Sequence, residues 1–275
     1  VQTDAAGNAF LGASLPAQSL NKFLTATATD SLTGTTSEFS QGLCLKDSDG
    51  DGIWDCWETE GWGIDVNSDG VIDLDLFARG ARPGHKDIFV EVDAMIGHVP
   101  QDSVLQMVES AFAAVPNNLL QNPDTNPGIA LHCRPLDESD IPSRDLPSMW
   151  SDFATVKTVH FGTVAERSSP NRYYILKSKR LVYRYGLWGR TFCTGSDTTA
   201  GGIGELADGL GGDDFLISLG SRGPCGWRDT TDVSLRAGMF MHELGHTLGL
   251  GHGGVDDEQY KPNYYSVMNY AWTTP

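Results

Sequence analysis

Three histidines, His242, His246 and His252, stand at spacings that suit one metal ion, in the run His-Glu-Leu-Gly-His-Thr-Leu-Gly-Leu-Gly-His. Positions i and i+4 lie one helical turn apart on the same face, so the imidazoles of His242 and His246 can reach a single ion. Glu243 lies about 100° round the helix from His242, close enough to hold a water at the metal's open position. Zinc is the metal expected: it acidifies a bound water, and a neighbouring carboxylate takes the proton. Gly249 tolerates the left-handed conformation and predicts the helix stop. The turn it permits would return His252 as third ligand, through a stretch that Gly251, Gly253 and Gly254 keep free of bulk. A surface helix with two chance histidines would explain the pair, but not the added glycine and third histidine.

The run resembles that of the metzincins, zinc endopeptidases with His-Glu-x-x-His-x-x-Gly-x-x-His and a later Met-containing turn. Tyr265-Ser-Val-Met-Asn-Tyr270 is similar to that turn, with Met268 falling 268 − 252 = 16 positions past the last histidine. The resemblance covers most of residues 85–275 and implies that Met268 forms a soft floor under the imidazoles. The Ser-x-Met-x-Tyr pattern is similar to the astacin and serralysin branches. That implies that Tyr270 is a switchable zinc ligand that stabilises the transition-state oxyanion; a merely packed or exposed tyrosine is the other reading. It also implies an antiparallel edge strand that takes substrate as an added strand. Gly201-Gly-Ile-Gly-Glu-Leu-Ala207 is the candidate, with a surface loop as the alternative. Five residues follow Tyr270, which predicts a minimal wall beyond the scissile bond or a truncated sequence.

A second chemistry sits upstream. Asp47-Ser-Asp-Gly-Asp-Gly-Ile-Trp-Asp-Cys-Trp-Glu58 follows the twelve-position EF-hand-type loop. Asp47, Asp49, Asp51, the Ile53 carbonyl, Asp55 and Glu58 are its candidate calcium ligands, with Gly52 at the sharp turn. Asp65-Val-Asn-Ser-Asp-Gly-Val-Ile-Asp73 repeats the first nine positions, offering Asp65, Asn67, Asp69, the Val71 carbonyl and Asp73. Position twelve there is Leu76, so a second calcium would be held more weakly or closed by Asp75 or an outside residue. The run resembles thrombospondin type 3 and dockerin-like calcium repeats. The expected role is structural, clamping residues 43–80 onto the remainder.

The elements that must position these groups follow from periodicity. Asp87-Ile-Phe-Val-Glu-Val-Asp93, Gly128–Cys133, Val182–Leu187 and Asp213–Gly220 read as strands. Ser103–Val115 has helical spacing and stops before Pro116; Asn171–Arg180 reads as a basic helix. Thr230 or Thr231 is expected to cap the motif helix, Val233 to Leu248. Phe23–Thr29 alternates as a strand, with turns at Asp4–Asn8 and Ser31–Gly34. The fold class expected is α+β: a metzincin-like zincin domain with a twisted mixed sheet and an active-site helix. The division expected is 1–42, a short β segment similar to the closing strands of Ig-like modules; 43–83, a calcium-binding loop region; and 84–275, the catalytic domain.

The net charge of −17 argues against nucleic acid as a partner, since phosphate would be repelled. No apolar run approaches the ~18 residues of a membrane span. The chain opens at Val1 with no charged-then-apolar leader before it, which fits a processed or recombinantly trimmed chain. Of five cysteines, Cys44–Cys56 and Cys193–Cys225 are the expected bridges, with Cys133 free. His85, His98, His132 and His160 have no motif around them and read as ordinary histidines. The function expected is a secreted monomeric zinc endopeptidase with structural calcium, acting on protein or peptide substrates. The alternative is a calcium-dependent extracellular binding or adhesion protein carrying an inactive metzincin fold; the intact Glu243 argues against it.

Overall fold

The computed structural model describes residues 23–24, 27–30, 32–37, 43–192, 201–206, 212–219 and 231–272. Its elements are β1 (Phe23–Leu24), β2 (Leu43–Cys44), β3 (Asp87–Met95), α1 (Asp102–Ala113), α2 (Asn117–Leu120), β4 (Ala130–His132), β5 (Glu138–Ile141), α3 (Trp150–His160), α4 (Val164–Ser168), α5 (Arg172–Lys179), β6 (Tyr183–Trp188), β7 (Gly202–Gly204), β8 (Asp214–Ile217) and α6 (Val233–Thr247). The six-stranded sheet runs β4-β3-β6-β8-β7, with β5 also on β3. It is mixed: every pairing is parallel except β7 on β8, which is antiparallel. The expected mixed sheet with helices is therefore present. A turn at Asp30–Thr35 closes the bridge between Thr29 and Thr36, whereas the turn expected at Asp4–Asn8 lies outside the described residues.

β3 is the axis of the fold, and its alternation sorts the two layers. Val90, Val92 and Ala94 face α1 and α6, where Val104, Leu105, Val108, Phe240 and Leu244 bury against them. Phe89 and Met95 face the other way, towards Phe153 and Val156 of α3. Ile53, Ile64, Leu74 and Leu76 from the acidic-loop region join that same cluster. The acidic region thus shares a core with the sheet, on the side opposite the motif helix.

Three carboxylates also point into that second layer, and each is answered as buried polar groups require. Asp87 accepts from His132 Nε2 (2.5 Å) and the Arg82 amide (3.0 Å). Asp93 accepts from the Tyr185 hydroxyl (2.8 Å) and the Glu138 amide (2.9 Å). Glu91 lies 2.5 Å from Lys179 Nζ and accepts from the Gly162 amide at 2.7 Å. His132 therefore has a specific structural partner, one that its bare sequence context did not signal. No helix among the described residues is long and apolar enough to cross a membrane.

Candidate metal centre

α6 begins where Asp232, not Thr230 or Thr231, caps it: the Asp232 carboxylate accepts from the Leu235 amide at 3.0 Å. Thr230 lies outside the described residues, and the Thr231 carbonyl is taken by the Gln101 side chain. Asp was available at the right offset, and an N-cap carboxylate also suits the positive end of the helix. Phe240 packs edge-on against Phe215, with ring centres 5.1 Å apart, and so fixes the roll of the helix. As a pair, His242 and His246 then lie about 160° round from Phe240 and Leu244, with His246 beside Gly204 of β7. Gly249 ends the helix at φ 85°, and the Leu250 amide reaches back to the Gly245 carbonyl at 3.0 Å. That is the left-handed stop the sequence predicts.

The three histidines come together, with ligand nitrogens within 4.8 Å of one another. Each Nδ1 faces an acceptor: the Val267 carbonyl for His242 (2.7 Å), the Leu250 carbonyl for His246 (2.8 Å) and Asp257 Oδ1 for His252 (2.5 Å). Such partners fix the proton on Nδ1 and leave Nε2 as the ligand atom. Nε2 of His242 and Nε2 of His246 stand 3.2 Å apart. With both protons committed elsewhere, this contact is two lone pairs converging, which favours a cation between them. Bonds of ~2.0–2.1 Å in a tetrahedral site would place such nitrogens about 3.3–3.4 Å apart. Burial pushes His242 down to about 4 and lowers His246 as well, keeping both imidazoles neutral. This donor set of three imidazoles fits zinc.

Glu243 is almost wholly buried, and burial holds its carboxyl well above the usual range. It accepts from the Gly204 amide, which opposes that shift. Tyr270 is gathered too: its ring lies 4.3 Å from that of His252 and stacks on His242 at 5.7 Å. Burial raises the Tyr270 hydroxyl, and the Glu243 charge adds to the effect. Met268 is buried beneath α6 with its sulfur against Gly245, where any Cβ would collide with it.

β7 is the antiparallel strand at the end of the sheet. Gly201 and Glu205 bond to β8 through Ser218 and Asp214. By alternation Gly202 and Gly204 turn their main-chain groups away from β8. The remainder of the candidate rim, Ala207, lies outside the described residues. A Cβ on Gly202 would stand 2.6 Å from Glu243 Cγ and 2.7 Å from the Leu216 carbonyl. Gly202→Ala is therefore expected to destabilise the fold by about 1–3 kcal/mol, the usual cost of overpacking. An unchanged thermal midpoint would contradict that close packing.

The two acidic loops share their hydrogen bonds. Position one accepts from the position-six amide (Asp47 from Gly52, Asp65 from Gly70), and position nine from the position-two amide (Asp55 from Ser48, Asp73 from Val66). Position five accepts from position seven, Asp51 from Ile53 and Asp69 from Val71. They part at position twelve. Glu58 is fully buried with both oxygens unpartnered, and burial beside Asp51 and Asp49 pushes it up to about 10. Leu76 is simply core. Asp47, Asp49 and Asp51 cluster, as do Asp51, Glu58 and Asp87; among the described residues the second loop shows no such grouping. Asp55 is drawn instead to Ser48 and to Lys46 Nζ at 2.9 Å. Asp87 was missed in the sequence because it stands in a strand, outside any loop spacing.

Cys44 and Cys56 are free thiols in hydrogen-bonding contact, not a bridge, and burial with that contact pushes Cys56 up to about 12. Cys133 is free and buried, as expected. Cys193 and Cys225 lie outside the described residues. Comparison with family models, curated proteins and solved structures found no match to the chain.

Proposed function

We propose that the chain is a zinc-dependent endopeptidase of the metzincin kind, secreted and carrying calcium in its first acidic loop. The observation that carries this reading is the convergence of three bare Nε2 atoms beside a buried glutamate and a strand that, among the described residues, ends the sheet. His242, His246 and His252 would hold the ion. Zinc so bound supplies a Lewis acid and lowers the pKa of a coordinated water. Glu243 takes the proton of the attacking water and returns it to the leaving amine. Tyr270, set over His242 and His252, donates its hydroxyl proton in a hydrogen bond to the developing oxyanion, a contribution of about 3–4 kcal/mol in comparable sites. An extended peptide pairs with the outward main chain of Gly202 and with the Gly204 carbonyl, the Gly204 amide being held by Glu243, so that main-chain bonds align it beside that carboxylate. An oxygen-rich calcium loop suits an extracellular setting, where calcium is abundant.

The test is metal content together with hydrolysis of a denatured protein. Purified protein is expected to carry about one zinc, to cleave the substrate, to lose activity in 1,10-phenanthroline and to regain it on zinc addition. A zinc-loaded, calcium-saturated protein that leaves denatured substrates intact would overturn the peptidase reading and favour a binding protein.

A further inference from the structure

The oxygens around the first acidic loop come from two stretches of chain, and Asp51 joins them. On its loop side, Asp51 clusters with Asp47 and Asp49; on its sheet side, with Glu58 and Asp87, each set within 4.8 Å. The Asp87 amide donates to Asp51 Oδ2 at 2.7 Å across 36 residues of sequence, holding the first residue of β3 against the loop. Glu58 is fully buried, and neither carboxylate oxygen has a hydrogen-bond partner. Asp49 Oδ2 is likewise buried and unanswered. Buried carboxylates are normally paired or bound to a metal, so these orphaned oxygens themselves point to a cation. Asp55, the loop's own ninth position, faces both Ser48 donors and the Lys46 ammonium, whereas each Asp87 oxygen accepts one hydrogen bond, from His132 or from Arg82, and keeps a lone pair for a cation.

We infer that calcium is held jointly by the loop and the sheet, with Asp87 of β3 taking the place of Asp55 among the ligands of Asp51 and Glu58. The inference rests on reading the first loop as a calcium site and adds what that calcium controls. An all-oxygen set rich in carboxylates suits calcium, which takes six to eight such ligands. Occupancy pins the start of β3, the strand that pairs with β4, β5 and β6, and release frees it. Calcium thereby governs the order of the central strand and not only that of a surface loop.

The experiment uses the full zinc-loaded chain and two readouts. Terbium luminescence, sensitised by Trp54 and Trp57 beside the loop, reports the cation directly, and calcium displaces it in competition. Asp87→Asn is expected to weaken calcium about tenfold or more, and Asp55→Asn to change it by less than about threefold. The reverse order, with Asp55→Asn crippling and Asp87→Asn silent, would overturn the joint site. Should Asp87→Asn fail to fold, hydrogen exchange on the wild type decides. Calcium is expected to slow exchange at residues 47–58 and at 86–90 together; protection confined to 47–58 would overturn the inference. A wild type that binds neither terbium nor calcium would instead sink the loop reading on which the inference rests.

Discussion

Glu243→Gln is expected to lower kcat/KM for peptide hydrolysis by about 10²–10⁴-fold with zinc content unchanged. The three nitrogens that would hold the ion belong to His242, His246 and His252, so the amide removes a proton acceptor and no ligand. Gln keeps the shape that fits between α6 and Gly202, and its oxygen still accepts from the Gly204 amide. Parallel zinc analysis and steady-state kinetics on one peptide separate the outcomes. Activity within tenfold of wild type would move the base elsewhere, whereas zinc loss would recast Glu243 as structural.

The largest effect on stability is expected at Lys179, far from the metal centre. Its ammonium is almost wholly buried and faces Glu91 (2.5 Å), Glu166 (2.9 Å) and Asp137 (3.3 Å). Arg79 adds a second cation at Glu166, 2.6 Å away. Lys179→Met leaves three carboxylates around a hydrophobic stem, and breaking such a pair costs about 3–5 kcal/mol. At roughly 2–4 °C per kcal/mol for a chain of this size, the thermal midpoint falls by about 6–20 °C. The pH dependence carries a sign. Although burial works against it, Lys179 above all, then the Arg79 hydrogen bond, depresses Glu166 from 4.5 to about 2. That stabilisation is fully present above the unfolded value of 4.5 and is lost as pH falls towards 2. Denaturant melts in EDTA are expected to lose stability across that window in wild type, and to lose less in Lys179→Met. Glu91 works oppositely. Burial raises it to about 8 despite Lys179, so its ionisation costs stability as pH rises from 4.5 towards 8. Equal melting of variant and wild type at pH 7 would show the cluster to be energetically neutral.

The features legible in the sequence were those whose partners lie close along the chain. His242 and His246 sit one turn apart, Gly249 marks the stop, and the strands at β3, β6 and β8 announce themselves as apolar runs. Helix α3 escaped because its buried residues, Phe153 and Val156, make too narrow a stripe among Trp150, Ala154 and Val159 to read as one face. The four-residue β5 escaped because Glu-Ser-Asp-Ile looks like a turn; it pairs only because Asp93 and Met95 offer it an edge. Asp87 and Lys179 escaped for a deeper reason. Each acquires its meaning from residues tens of positions away, and nothing in local spacing encodes such a meeting. The cap of α6 falls one residue beyond Thr231 because adjacent Thr231 and Asp232 both carry capping oxygens, and Asp ranks above Thr at that position.

Three glycines bound the freedom of this site to diverge. Gly202 is closed by the Glu243 side chain, Gly204 by the Glu243 main chain and His246, and Gly245 by the Met268 sulfur. Any inherited change at these positions must move Glu243, His246 or Met268 along with the wall it alters. The exposed aromatics Tyr260, Tyr265 and Trp272 carry no such constraint. A descendant of this chain could therefore vary freely along its outer rim while the innermost surfaces around Glu243, His246 and Met268 stay frozen.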